Sequence, residues 1–121
     1  MNQRRLSQLM CDALRGHLAG RSPRPPDAGL LIWRVFGDLA GRRTWHAHGP
    51  NPISHGEIEA YGWVMRLPLA PHHVDLILAL DRVWLEHSIN TLRAGAAGNR
   101  PEVPQVSQRP LSPDLFDAMT G

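Results

Sequence analysis

The run PHHVDLILALDRVWLEHSINTL (residues 71–92) decides the fold. Plotted at about 100° per residue, Val74, Ile77, Leu78, Trp84, Leu85 and Ile89 form one apolar stripe, and Leu76, Leu80 and Val83 form a second, nearly opposite one. Only the sector of Asp75, Arg82 and Glu86 is strongly polar. A helix apolar around so much of its circumference is either central to its own domain or shared with a partner. The run therefore predicts a long helix from Pro71 to about Leu92, with proline at the first position, where its missing N–H is harmless. Asp81 interrupts the first stripe, between Ile77, Leu78, Trp84 and Leu85. An ionised carboxylate is costly there unless paired, so Asp81 reads as a structural anchor. Its partner is Arg34, Arg42 or Arg43, or else a loop N–H or an indole N–H.

Upstream of this helix, Ser54-His55-Gly56-Glu57 spells a capping box: the Ser54 hydroxyl accepts from the Glu57 N–H, and the Glu57 carboxylate accepts from the Ser54 N–H. Ile53 and Ile58 occupy the flanking staple positions. A third helix is thus expected over about 55–65, with Ile58, Tyr61 and Met65 facing the core and Gly62 admitting a close neighbour. Leu67-Pro68-Leu69-Ala70 ends it. The loop GRRTWHAHGPNP (41–52) precedes it. A second helix begins after Asp27, read as its N-cap, and runs to about Ala40. It places Leu31, Ile32, Val35, Phe36 and Leu39 on one face, with an Arg34–Asp38 pair opposite. A first amphipathic helix over 4–19 aligns Leu6, Leu9, Met10, Ala13, Leu14 and His17 and stops at Gly20. GRSPRPPDAG (20–29) reads as a stiff linker that lets helix one move. The chain has no repeat and no strand pattern.

Downstream, AGAAGNRPEVPQVSQRP is rich in Ala, Gly and Pro without period and reads as disordered. The expected organisation is a helical domain over 1–93 and a Pro-rich tail over 94–121. Within the tail, residues 113–119, behind Ser112 and with Leu115, Phe116 and Met119, form a candidate short docking helix. The fold class that follows is all-α: a small four-helix domain with a disordered C-terminal tail.

Composition mainly removes chemistries. All thirteen basic residues are Arg and none is Lys, which rules out a Lys Schiff base, a Ser-Lys dyad and a phosphate loop ending in Lys. The single Cys11 rules out intramolecular disulfides, CxxC redox chemistry and multi-Cys zinc sites; on the apolar side of helix one it reads as a small buried hydrophobe. No apolar run is long enough to span a bilayer, and the first twenty residues lack a signal-peptide pattern, so a cytoplasmic protein is expected. The net charge of +2 hides an asymmetry. Residues 1–55 carry eight Arg against three acids and residues 56–121 five Arg against eight acids, so the halves complement each other.

No catalytic arrangement can be built. The seven histidines include His46, His48 and His55, but the loop 45–55 offers no fourth ligand and no helical HExxH spacing. We therefore expect no metal and no cofactor, and read these histidines as polar loop and helix-start residues. His72-His73 at a helix N-terminus read as neutral surface or packing residues, since the dipole there disfavours protonated His. Helices three and four across a short turn raise a helix-turn-helix reading. The second helix, however, opens Pro71-His72-His73-Val74-Asp75-Leu76 and offers few donors to base edges, so nucleic acid is disfavoured. The four tryptophans point to a protein partner. Trp84 belongs to the core stripe, Trp33 borders one, Trp45 lies in a loop, and Trp63 faces away from Tyr61 and Met65; exposed aromatic anchors are an interface signature. The expected partner-binding residues are Trp63, Trp45, Trp33, Leu76, Leu80, Val83, Leu115 and Phe116, with Asp81, Ser54 and Glu57 as structural anchors.

Residues 31–87 resemble the tail assembly chaperones encoded among the tail genes of long-tailed phages and prophages. The resembling elements are the helix with Trp33 and Phe36, the Arg-bearing loop, the run Pro52-Ile53-Ser54-x-x-Glu57-Ile58-x-Ala60-Tyr61, the turn near Leu69 and Pro71, and Ile77-x-x-Leu80-Asp81. The resemblance implies a non-catalytic protein that binds the apolar, helical tape-measure protein and helps tail tube subunits assemble around it. It supplies no catalytic residues. A phage-encoded inhibitor of a host defence protein and a small DNA-binding regulator stay open as alternatives, as does a homo-oligomer.

Overall fold

In the computed structural model, which describes residues 2–98, four helices account for nearly all regular structure. They are α1 (Gln3–Leu18), α2 (Leu30–Gly41), α3 (His55–Val64) and α4 (Pro71–Gly98), with a two-stranded hairpin, β1 (Trp45–His46) and β2 (Gly49–Pro50), between α2 and α3. The fold class is the expected one. The hairpin was not anticipated: it pairs Trp45 with Pro50 and His46 with Gly49, too few residues to carry an alternating pattern. The chain divides into two compact units, Met1–His87 and Ser88–Gly121. Within the second, the described residues 88–98 are helical. Helix α4 thus outlasts its expected end at Leu92, because Ala94, Ala96 and Ala97 favour helix strongly enough to carry Gly95. Residues 99–121, with the expected docking helix 113–119 and its Leu115 and Phe116, lie outside the described residues.

The core of the first unit takes Met10 and Leu14 from α1, Ile32, Val35, Phe36 and Leu39 from α2, Ile53, Ile58 and Tyr61 from α3 and its lead-in, and Leu76, Ile77, Leu80 and Val83 from α4. The second stripe of α4 is therefore buried whole, whereas of the first only Ile77 is fully buried, Val74, Leu78 and Trp84 pack against the core part-buried, and Ile89 is exposed. Helix α1 is packed rather than loose. Met10 is fully buried and lies so close to Gly29 that a Cβ there would fall 2.3 Å from its sulfur. Any motion of α1 about segment 20–29 would have to pull Met10 and Leu14 out of the core. Cys11 is buried beside them, and burial pushes its thiol pKa up.

Local signals decide most helix ends. Ser54 and Glu57 form the full capping box at α3, and both staple residues, Ile53 and Ile58, are buried. Two expectations need correction at α2. Asp27 opens a 3₁₀ turn, Asp27–Gly29, and Gly29 rather than Asp27 is the N-cap. Asp38 also does not pair with Arg34; it accepts a 2.5 Å hydrogen bond from the Tyr61 hydroxyl, and this bond, more than burial, raises the tyrosine's pKa.

The start of α4 gives His73 an unforeseen task. Its Nδ1 accepts the Ala70 N–H at 2.9 Å, so at the third helical position it takes the place that Glu or Gln has in a capping box. Burial, then the neighbouring His72, lowers the His73 pKa. A lowered histidine pKa means that the unfolded chain binds more protons near pH 6, so this site loses stability as pH falls below the unfolded value of about 6.5. His73→Glu keeps the acceptor and favours the helix dipole. The variant should flatten this fall between about pH 7 and pH 5 and gain about 0.5 kcal/mol at neutral pH, checked by thermal melts across that range.

Candidate partner-binding site

Two features of the first unit organise its surface: a buried clamp that fixes the hairpin, and an apolar groove beside α3. At the clamp, Arg43 Nη2 donates to Asp81 Oδ1, while the Ile53 N–H donates to Asp81 Oδ2 at 2.9 Å. Arg43 Nη1 donates to the Asn51 carbonyl at 2.9 Å. The guanidinium lies 3.9 Å from the centre of the Trp84 ring, in cation–π contact. The two charged side chains are only 2% and 3% exposed, and Arg43 Nε is buried without a hydrogen-bond partner, a desolvation cost that the ion pair and its other hydrogen bonds must offset. A single carboxylate on α4 thus grips both ends of loop 43–53. Of the three arginine candidates, Arg43 is the partner, and a loop N–H shares the same carboxylate. The hairpin completes the arrangement, with Asn51 bonded to Thr44 through backbone and side chain and Trp45 edge-on to Trp84 at 6.2 Å.

The groove, about 1070 Å³ in volume, is lined by α3 residues His55, Ile58, Glu59, Gly62 and Trp63, by the turn through Arg66, Leu67 and Leu69, and by Val74 of α4. Its form follows from how α3 ends. The Leu67 N–H bonds the Gly62 carbonyl at 2.8 Å and the Arg66 N–H bonds the Trp63 carbonyl at 3.2 Å, the pattern of a Schellman motif with Arg66 in the left-handed position. The chain then folds back so closely that a Cβ on Gly62 would meet the Leu67 carbonyl at 3.2 Å and Leu69 at 3.3 Å. Trp63, at 86% exposed, and Val64, at 73%, stand at its rim, with Met65 half exposed beside them. Such a contiguous apolar patch on a small domain marks an interaction surface.

Helix α1 ends in the same motif with Gly20 at φ +91°, whereas α3 uses Arg66 at φ +55°. A non-glycine residue there costs roughly 1 kcal/mol relative to glycine. Strain kept beside a groove is a pointer to function. Arg66→Gly should raise the melting temperature by about 4–8 °C while weakening partner capture, an opposition read by parallel melts and pull-downs.

The structure distributes the expected interface residues unevenly. Trp63 is the most exposed and lies in the groove; Trp45 is 54% exposed but leans on Trp84, away from it. Trp33 is half-buried against His17, with ring centroids 6.3 Å apart. Leu76, Leu80 and Val83 are corrected: all three are buried in the core, because the second stripe of α4 is covered by the other helices. Met65 is corrected in the other direction. It caps α3 and is exposed, since the left-handed turn at Arg66 carries the chain away from the core. The histidines converge on nothing: His46 Nδ1 accepts the His48 N–H, and among the described residues no three metal-ligating side chains cluster. No helix among the described residues is long and apolar enough to cross a membrane.

Sequence reasoning missed the groove itself and Arg66, because glycine or asparagine usually signals that turn. No curated protein and no solved structure matches the chain. Residues 13–86, however, match the sequence profile of a family described as phage tail assembly chaperone. The match takes in the last six residues of α1, which lay outside the resembling block, together with the clamp and the groove. Covering well over half of the 121 residues, it shows that the chain belongs to the phage tail assembly chaperone family.

Proposed function

We propose that this chain serves tail assembly by holding an apolar helical segment of the tape-measure protein in the groove beside α3, so that the segment stays soluble until tail tube subunits enclose it. The role is binding and release, without covalent chemistry, in the cytoplasm of the host cell. The observation that supports it most directly is Trp63, 86% exposed at the rim of an apolar groove about 1070 Å³ in volume. An indole gives a large contact area at low entropic cost, and a groove between helices suits the apolar face of an amphipathic helix. The clamp supports the site indirectly by fixing Ile53, and through it the start of α3.

A DNA-binding role fits the geometry less well. Leu76, Ile77, Leu80, Asp81 and Val83 are inside the core, so α4 is not free to lie in a major groove as a recognition helix must. The test is co-expression of the tagged chain with the tape-measure protein of the same locus. Capture and increased solubility of that protein, lost in Trp63→Ala, are the expected result. Equal capture by the variant would overturn the assignment of the groove.

A further inference from the structure

We infer that the groove beside α3 selects its client by the order of two charges: it takes an amphipathic helix running antiparallel to α3, with an acidic residue near its start and a basic residue about two turns later. The inference rests on the reading of the groove as the client site, and it names the chemistry of the segment that fits there.

Ile58, Leu67, Leu69 and Val74 make much of the groove apolar, and apolar contact alone does not distinguish one amphipathic helix, or one direction, from another. Charge does. The lining includes one acid and one arginine, Glu59 and Arg66. Both are exposed, and among the described residues neither forms a salt bridge. Glu59 stands in the second turn of α3, whereas Arg66 stands in the left-handed turn beyond its end at Val64. With a helical rise of about 1.5 Å per residue, the two are separated along the groove by roughly 10 Å, about two turns of a bound helix. The complementary client presents a base to Glu59 and an acid to Arg66. Its direction follows from the helix dipole. A client antiparallel to α3 starts at Arg66 and ends at Glu59, so its acid falls toward its own N-terminus and its base toward its C-terminus, the order that stabilises the client helix itself. A parallel client would need the reverse order, which its dipole disfavours. The strain at Arg66 is an independent observation with the same direction. Glycine makes the corresponding turn after α1, at Gly20, whereas arginine is kept after α3 at φ +55°; the conformational cost places beside the groove a cation that glycine would lack. Because both charges are exposed, they choose between clients and directions more than they add affinity.

The test uses fluorescein-labelled peptides of about 20 residues, tiled across the tape-measure protein of the same locus and long enough for several helical turns. Each is titrated with the full 121-residue chain at low salt and read by fluorescence anisotropy. The tightest binders should carry an acid followed about seven residues later by a base, both flanking one apolar face. Exchanging those two charges within the tightest peptide should weaken binding roughly tenfold, because two attractive pairs become repulsive, and about 0.5 M salt should erase most of the difference. The double variant Glu59→Arg/Arg66→Glu, shown to be folded by far-UV circular dichroism, should reverse the preference and bind the exchanged peptide better. An exchange that changes wild-type affinity by less than about twofold, or a double variant that keeps the original preference, overturns the inference. Trp63→Ala separates the two claims. Binding that is lost in this variant but indifferent to charge order leaves the client site standing and removes charge selection. A charge-order preference with undiminished binding by Trp63→Ala keeps charge selection and removes the indole as the anchor. Binding by none of the peptides overturns both.

Discussion

Asp81→Ala should cost this protein about 3–5 kcal/mol, the largest stability loss expected from any single substitution outside the apolar core. The carboxylate accepts from Arg43 and from the Ile53 N–H, and both partners are buried. Its removal leaves a guanidinium and an amide without their acceptor in a site that water does not reach. The guanidinium is the greater liability, since the Trp84 ring below it offsets only about 1–2 kcal/mol of its desolvation. Small domains are stable by only about 5–15 kcal/mol, so the variant should melt at least about 12 °C lower than wild type, or fail to fold. Asp81→Asn keeps an acceptor for Ile53 but still strands the charge, and should lie close to Asp81→Ala. The instructive control is the double variant Arg43→Met/Asp81→Leu. Replacing both members of a buried pair with apolar groups is often nearly neutral, so the double variant should recover most of the loss while surrendering the grip on loop 43–53. A double variant no more stable than Asp81→Ala would show that the ion pair contributes net stability in its own right.

The same residue shows what could be read from the chain and what could not. Asp81 was conspicuous because a carboxylate in an apolar stripe violates a pattern that depends only on helical periodicity. Its partner could not be chosen among Arg34, Arg42 and Arg43, because that choice depends on where a hairpin of two-residue strands turns the chain. The start of α3 was fully legible, since a capping box and its staple span only a few residues. The second stripe of α4 was legible as apolar but not as covered: Leu76, Leu80 and Val83 have the same spacing whether a partner or the chain's own helices lie over them. Met65 failed for a related reason, since its face was extrapolated along a helix that stops at Val64. The groove needed the fold, because it is made by the return of Leu67 and Leu69 over Gly62, a turn that carries arginine where glycine would have announced it.

Trp63→Ala should reduce affinity for the tape-measure protein by about 2 kcal/mol or more, roughly thirtyfold, while leaving the melting temperature within about 2 °C of wild type. The separation of these effects is the substance of the prediction. A side chain 86% exposed loses little burial on truncation, and alanine is the better helix former by a few tenths of a kcal/mol, so stability is unchanged or slightly higher. The binding loss is large because an aromatic anchor buries about 150–250 Å² when its partner covers it. The other tryptophans calibrate the measurement. Trp84 is half-buried and carries the Arg43 guanidinium on its face; Trp84→Ala should therefore destabilise by about 3 kcal/mol and lose capture only as far as the fold is lost. Trp45 touches Trp84 edge-on and is remote from the groove, so Trp45→Ala should cost about 1 kcal/mol of stability with capture intact. Trp33, half-buried against His17, should follow Trp84 rather than Trp63. If Trp45→Ala rather than Trp63→Ala abolishes capture in a folded protein, the client lies on the hairpin and the clamp beneath it becomes the platform of the site.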